Sequence, residues 1–412
     1  MQVKNSTWVS NLFIVIFPVA SVDITTEMMN HLPLMRMKIG IDIRSLGNNS
    51  HTDYAFFLTE VLKKMTLKFG QDEFLLISDK TFDSSFFRGK NVKTVVKGPA
   101  TSNPLLLKLW YDVKLPAILK KHDVEIFIAG PGVCSLQTQI PQCLIIDDLS
   151  YLQFPSVTKK TELFFLRRYM KRFLQKSVCI LTGSKFLSDE ITSLYPPVQE
   201  KIHVIQNPGK DFHALEENDK EKARQEYTGG KNYFIYSGQI DQRSNIINLL
   251  KAFSVFKKRQ KTDWKLVLAG PISPGFKKLA ADLKKYRYRD SLVLLERVTE
   301  MESERLTGAA YALVNPGTIV GWSALMLAAL RSKVPMILAQ KTSPGHWAAD
   351  AMLYVDPTDH NDIAEKMMLM YKDESLRKNL VEKAAQVAGD FTWDKAGDEF
   401  MQVIRKTAGR AV

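Results

Sequence analysis

Apolar and polar positions along this chain follow a strand–loop–helix order that repeats from Lys38 towards the C-terminal region. Short apolar runs, typical of strands buried on both faces, are followed by segments with apolar residues at helical spacing, such as 54–69. This alternation predicts a parallel, doubly wound α/β fold. The strand-like runs read MKIGIDI, FLLIS, VKTVV, VEIFIAG, QCLIIDD, CILTGS, KIHVIQ, YFIYSG, KLVLAG, LVLLERV, ALVNP and PMILAQ.

The stretch from Ala310 to Leu338 is the most informative of these units. It predicts two buried strands with a loop at residues 315–317 and a helix at about residues 323–331 between them. This order places a helix N-terminus at the C-terminal edge of a parallel sheet, where α/β proteins bind anionic ligands.

The chain is too long for one ordinary hydrophobic core, since it has 412 residues. The polar segment 210–231 lacks a buried pattern and is interpreted as a linker. We therefore expect Rossmann-like halves at 37–210 and 211–391, with a terminal helix in 392–412 crossing back to the first half. Residues 1–36 are interpreted as a poorly ordered or mis-assigned N-terminal extension, because MKIGIDI reads as the opening strand of the fold. The apolar run from Leu12 to Val22 faintly resembles a signal peptide and is too short for a spanning helix.

The composition of the chain favours some classes of ligand but does not decide among them. The formal charge of +13 predicts a basic face, which suits nucleotide phosphates, anionic lipid head groups or nucleic acid. Nucleic acid is not expected, because no aromatic and basic binding platform is present. The three cysteines have no metal-ligand spacing, which indicates reduced thiols, a cytoplasmic protein and no bound metal.

The segment from Ser156 to Lys176 predicts a basic amphipathic helix. Such a helix can lie on an anionic membrane surface, here the inner face of the membrane. Alternatively, its apolar face can pack into the core while its basic face is exposed to solvent. Both interpretations remain open from sequence. The predicted apolar face consists of Leu163, Leu166, Met170, Phe173 and Leu174.

Several segments in the same order resemble the family-4-type retaining glycosyltransferases of bacteria, also called group 1. The segments are GIDIRSLG, LWYDVKLP, LIIDDLSYLQFP, LTGSKF, KIHVIQNPG, YFIYSGQIDQRSNIINLLKAF, AAYALVNP, KVPMI and DAMLYVDP. The resemblance implies a GT-B architecture, in which two Rossmann-like domains face each other across a cleft. It also implies sugar transfer from a nucleotide-sugar donor to a glycan or lipid-linked acceptor in polysaccharide or cell-envelope biosynthesis, without a metal.

The resemblance also implies roles for individual residues. Arg243 would neutralise the diphosphate leaving group as charge develops on it, and Asp148 is a candidate catalytic residue. The acceptor side would include Gly47, Asn48 and Asp147. The donor side would include Gly238, Arg243, Asn245, Val298, Gly317, Gly321, Trp322 and Ser323.

This sequence departs from the family pattern at positions that face the sugar and the phosphates. The family's two donor-loop glutamates are replaced by Val320 and Ala328, and its diphosphate lysine by Ser244. Its histidine is replaced by Asp147, whose carboxylate would repel a diphosphate, and the glycine-rich first loop reads NNSHTDY. A further glutamate is replaced by His346.

Two hypotheses follow from these departures. The protein is either an active glycosyltransferase or a catalytically inactive protein of the same fold that binds a glycan, a nucleotide or a partner enzyme. The adjacent Asp147 and Asp148 are not expected to chelate a metal together, because neighbouring strand residues point to opposite faces.

Overall fold

The computed structural model describes residues 36–48, 53–82, 87, 89–209, 213–317, 324–340 and 349–410. Residues 1–35, for which the sequence predicts poor order, lie outside the described residues. From Met37 to Val412 the chain forms one compact unit. Within it two sheets of parallel strands are flanked by helices, so the predicted α/β fold is confirmed.

In the described part of the chain, the first sheet has seven strands in the order β3-β2-β1-β4-β5-β6-β7. Strands β4 and β5 are buried along their whole length, which explains their continuous apolar sequences. The strand order reverses between β1 and β4, and such a switch point opens a crevice at the C-terminal ends of the strands. The strands are β1 Lys38–Asp42, β2 Glu73–Ser78, β3 Val92–Val96, β4 Ile126–Ala129, β5 Gln142–Ile146, β6 Cys179–Thr182 and β7 Ile202–Val204.

Among the described residues, the second sheet has six strands in the order β10-β9-β8-β11-β12-β13. Its order reverses between β8 and β11, so it has the same kind of switch point as the first sheet. The strands are β8 Tyr233–Ser237, β9 Lys265–Ala269, β10 Leu292–Leu295, β11 Ala312–Asn315, β12 Met336–Ala339 and β13 Leu353–Val355.

Helices cover both faces of each sheet and bury apolar residues in two core clusters per sheet. None of the described helices is both long and apolar enough to cross a bilayer. They are α1 Asp53–Lys68, α2 Pro104–Leu109, α3 Leu115–Lys121, α4 Lys160–Lys176, α5 Lys185–Leu194, α6 Glu217–Thr228, α7 Ile246–Gln260, α8 Lys277–Leu283, α9 Glu300–Gly308, α10 Ala324–Arg331, α11 His360–Lys372, α12 Glu374–Ala388 and α13 Trp393–Arg410.

The linker interpretation of 210–231 was wrong for most of that segment. Helix α6 occupies Glu217–Thr228 and packs Ala223 into the core of the second sheet. It ends at Gly229, whose left-handed φ of 64° suits a residue without a Cβ. The helix escaped detection because Ala223 and Thr228 are its buried residues, and two positions make no apolar stripe.

The terminal helix α13 packs against α1 of the first half. Its Trp393 and Phe400 rings lie 6.0 and 6.3 Å from the ring of Phe57. An ion pair between Arg405 and the fully buried carboxylate of Asp72 holds its far end. The last helix of the chain therefore belongs physically to the core of the first sheet.

Candidate functional site

The predicted site residues that the structure describes lie in loops at the C-terminal ends of the parallel strands. Because parallel strands end at the same edge, these loops lie at one edge of each sheet. Gly321, Trp322 and Ser323 lie outside the described residues. In the described part, Gly47 and Asn48 follow β1, Asp147 and Asp148 follow β5, Gly238, Arg243 and Asn245 follow β8, Val298 follows β10, and Gly317 follows β11.

Glycines allow the loops of the second sheet to pack closely. Gly238 has a φ of 136°, and a Cβ on Gly270 would lie only 2.1 Å from the carbonyl oxygen of Gly238. A Cβ on Gly317 would lie 3.0 Å from the carbonyl oxygen of Arg243. The loops after β8, β9 and β11 therefore approach each other at distances that a side chain would prevent.

Asn245 links its own loop to other loops of the second half through hydrogen bonds from its side chain. It has a left-handed backbone, with φ 53° and ψ 32°, at the start of α7. Its side-chain nitrogen donates to the carbonyl oxygens of Pro316 at 3.0 Å and Pro357 at 2.7 Å. The structure thus assigns Asn245 to the scaffold, and its contact with a donor stays a prediction.

Arg243 is held in place by Asp241, a residue that sequence reasoning missed. Nε and Nη2 of Arg243 donate to Oδ2 of Asp241 at 3.0 and 2.6 Å, and the Arg243 backbone N–H donates to Oδ1 at 2.8 Å. The Asp241 side chain is 4% exposed. Its signal in the sequence was the Asp-x-x-Ser spacing to Ser244, which forms a capping box.

The remaining face of Arg243 reaches the first half of the chain. Nη1 donates to Oγ of Ser150 at 3.2 Å and lies 3.6 Å from Oδ2 of Asp148. A second hydrogen bond between the halves joins Oγ of Ser156 to Oε1 of Gln242 at 2.8 Å. The structure therefore brings together Asp148 and Arg243, which are far apart in sequence.

A cleft of about 750 Å³ opens beside these contacts, within the range of small-molecule sites. Most of its lining residues are polar, and they include three carboxylates and two cations. The lining residues are Asp148, Ser150, Ser156, Thr158, Lys159, Glu162, Gln239, Asp241, Gln242, Arg243, Ser273, Pro274, Gly275 and Phe276.

Asp147 differs from the carboxylate that the sequence suggested. Burial, and secondarily the neighbouring charge of Asp148, raise the pKa of Asp147 to about 7. A carboxyl group with this pKa is largely protonated just below neutral pH, and it can then donate a hydrogen bond as a neutral imidazole does. Burial therefore weakens the expected repulsion between Asp147 and a diphosphate below neutral pH, and the repulsion itself stays a prediction.

Metal ligands are not grouped in the described residues, where no cluster of three or more His, Cys, Asp or Glu side chains could hold an ion. The geometry instead offers one arginine directed into a polar cleft between two Rossmann-like sheets, with close-packed glycine loops around it.

Comparison with known proteins matches the second half of the chain to a family. Residues 217–387 match the family model described as glycosyl transferases group 1. This segment is therefore similar to the group 1 glycosyl transferases.

Two curated relatives of this chain are O-antigen mannosyltransferases by name. It is 23% identical over 257 residues to O-antigen chain mannosyltransferase B of Escherichia coli, covering 60% of this chain and 65% of that protein. It is 25% identical over 234 residues to O-antigen chain mannosyltransferase RfbU of Salmonella typhimurium, covering 55% and 61%. The matches thus span less than two thirds of the length of these relatives.

Solved structures show the same GT-B fold at low sequence identity. Sucrose-phosphate synthase from Thermosynechococcus elongatus has a TM-score of 0.68 at 13% identity, over 90% of this chain and 99% of that chain. Anabaena HepE in complex with UDP and glucose has a TM-score of 0.64 at 14% identity, over 90% and 100%. WaaG, a glycosyltransferase involved in lipopolysaccharide biosynthesis, has a TM-score of 0.65 at 13% identity, over 89% and 99%.

The structure also shows the surroundings of two residues that depart from the family pattern. Ser244, which replaces the lysine, is buried, and its Oγ donates to the carbonyl oxygen of Asp241 at 2.6 Å. Ala328, which replaces one glutamate, is fully buried in α10. Ser244 therefore stabilises its own loop, and Ala328 packs in the core. Val320 and His346 lie outside the described residues.

A buried network beneath the first-sheet loops was also missed from sequence. The guanidinium of Arg44 pairs with Asp42 at 2.7 Å and lies 4.7 and 4.6 Å from the ring centres of Trp110 and Tyr111. The Tyr111 hydroxyl donates to the carbonyl oxygen of Gly130 at 2.9 Å. This network ties the ends of β1 and β4 together beneath the first-sheet loops.

Proposed function

We propose that this protein transfers a sugar from a nucleotide-sugar donor to a glycan or lipid-linked acceptor in polysaccharide or cell-envelope biosynthesis. The observation that carries the proposal is the direction of Arg243, whose Nη1 points out of the second half towards the polar cleft between the halves. The O-antigen names of the two curated relatives support the polysaccharide context, and mannose is the first donor sugar to test.

The proposed chemistry places positive charge where negative charge develops. As the glycosidic bond to the diphosphate breaks, a fixed guanidinium next to its oxygens stabilises the transition state. Arg243 is fixed for this task because Asp241 binds both Nε and Nη2. Asp147, when protonated, supplies a neutral hydrogen-bond donor at the position where family members use a histidine.

The binding half of the proposal is tested by titrating the purified protein with UDP-, GDP- and ADP-sugars. We expect one nucleotide class to bind, and Arg243→Ala to weaken its binding by about 1–3 kcal/mol, the free energy of a hydrogen bond to a charged group. Arg289→Ala is the matched control, since Arg289 is 60% exposed and is not part of the cleft lining. Undetectable binding at millimolar ligand would contradict the proposed function.

Transfer itself is tested by incubating the protein with the bound donor and candidate acceptors and following release of the nucleoside diphosphate. Release that depends on an acceptor is the expected result. Tight nucleotide binding without any release would instead support the inactive alternative, in which the fold binds a glycan, a nucleotide or a partner enzyme.

We further propose cytoplasmic localisation with peripheral contact at the inner face of an anionic membrane. In helix α4, Met170, Phe173 and Leu174 are buried as predicted, whereas Leu163 and Leu166 are only partly buried. The basic back of α4, including Arg168 and Arg172, is exposed beside Phe164, which is 72% exposed. Adjacent apolar side chains on the neighbouring helical segment are also exposed, namely Leu105, Leu109 and Val113.

This combination of exposed apolar side chains and cations suits an anionic lipid surface. Liposome pelleting with and without anionic lipid tests it. Preferential pelleting with anionic vesicles is expected, and equal recovery with neutral vesicles would leave α4 as a core helix with a solvated basic back.

A further inference from the structure

The guanidinium of Arg243 is shared between two carboxylates that lie in different halves of the chain. Asp241 binds Nε and Nη2 from within the same loop. Asp148 approaches Nη1 from across the cleft, with its Oδ2 at 3.6 Å. The atom of Arg243 that is best placed to meet a ligand in the cleft therefore already faces a negative charge.

Asp148 is held in this position. The backbone N–H and the Oγ of Ser150 donate to its two carboxylate oxygens, each at 2.6 Å. Ser150 is itself 2% exposed, and its Oγ accepts the hydrogen bond from Nη1 of Arg243 at 3.2 Å. The carboxylate is thus a fixed part of the cleft wall, unlike a freely rotating surface side chain.

An anionic ligand at Arg243 and Asp148 compete for the same positive charge. A phosphate oxygen that accepts from Nη1 would lie close to the Asp148 carboxylate, and the two negative charges would repel each other at close range. The side chains of Arg243 and Asp148 are 28% and 44% exposed, so solvent screens their attraction only in part. Binding of an anion at Arg243 therefore has to overcome an existing ion pair.

We propose that Asp148 is a built-in competitor that controls access of the nucleoside diphosphate to Arg243. This inference rests on the proposed function and deepens it, since it assigns Asp148 to specificity and not to bond breaking. In the absence of a diphosphate, the pair joins the two halves beside the contact between Ser156 and Gln242. A diphosphate, which carries more charge than one carboxylate, displaces Asp148 from Nη1, whereas a singly charged anion competes poorly.

The test measures the affinity of UDP, GDP and inorganic pyrophosphate by calorimetry for the wild type, Asp148→Asn and Glu162→Gln. Asn keeps the shape of the side chain and an acceptor for Ser150 while removing the charge. Glu162 lies in the same cleft lining and makes the matched control, because its substitution removes one charge without touching Arg243. Asp148→Asn should bind the preferred diphosphate about 5- to 10-fold more tightly, and Glu162→Gln should differ from wild type by less than about twofold.

The pairing with Arg243 is tested by repeating Asp148→Asn in an Arg243→Gln background, where the gain in affinity should disappear. The competitor role would be overturned if Asp148→Asn and wild type bound the diphosphate with equal affinity, or if Glu162→Gln gained as much affinity as Asp148→Asn. Binding by the wild type would still support the proposed function in either case. Failure of every variant, including wild type, to bind any diphosphate would overturn both. Binding by Asp148→Asn alone would also overturn both, because a diphosphate would then fail to displace Asp148 in the wild type.

Discussion

The raised pKa of Asp147 has a measurable consequence for stability. Between the ordinary carboxyl pKa of 3.8 and the folded-state value of about 7, the folded chain holds a proton that the unfolded chain releases. The folded state therefore binds more protons in this window, and stability falls as pH rises through it. Asp147→Asn removes the titrating group, so the variant should not lose this part of its stability.

The magnitude follows from the width of the window. At 1.36 kcal/mol for each pH unit, the whole difference between the two pKa values corresponds to about 4 kcal/mol above pH 7. From pH 5.0 to pH 8.5 only the part between pH 5 and 7 is traversed, which amounts to about 3 kcal/mol. Since Asp147 is partly exposed, we expect a change of about 2–3 kcal/mol.

The assay is urea denaturation of wild type and Asp147→Asn at pH 5.0 and 8.5, read as the difference in unfolding free energy between the two proteins. That difference should move by about 2–3 kcal/mol in favour of the variant at the higher pH. Asp290→Asn is the control, because it makes the same charge change at a side chain that is 92% exposed. Parallel pH profiles for wild type and Asp147→Asn would refute the reasoning.

Two further predictions concern the scaffold. Arg405→Ala should lower the unfolding free energy by about 3–5 kcal/mol, because it leaves the fully buried Asp72 without its cation; Lys64→Ala, which removes an exposed ion pair of the same helix contact, should cost less than about 1 kcal/mol. Gly270→Ala should cost about 2–4 kcal/mol, since its Cβ would lie 2.1 Å from a carbonyl oxygen at a φ of 140°. Gly275→Ala, whose Cβ meets nothing within 4 Å, should be close to neutral by the same denaturation measurement.

The pattern of the sequence was sufficient for the framework of the fold. Fully buried strands such as β5 and β8 need unbroken apolar runs, and those runs are local features that can be recognised without knowing their neighbours. The position of the candidate site loops could also be predicted, because parallel strands that alternate with helices all end at one edge of the sheet. The ordered motifs then indicated the family.

The local sequence pattern did not predict features that depend on residues far away in the chain. Helix α6 forms although its buried positions make no apolar stripe, because Ala223 fits a core assembled from the second sheet and its helices. The protonation of Asp147 likewise depends on the atoms that exclude water from it, and those atoms come from other parts of the chain.

The contact between Arg243 and Asp148 in the cleft also depends on the tertiary structure. The resemblance in sequence predicted Arg243 as a cation beside a phosphate site and Asp148 as a separate candidate. Only the folded chain places Nη1 of Arg243 within 3.6 Å of the Asp148 carboxylate, because the loops after β5 and β8 come from different sheets. The sequence by itself determined which chemical groups are present in the cleft, and the tertiary structure decided that the positive one already has a partner.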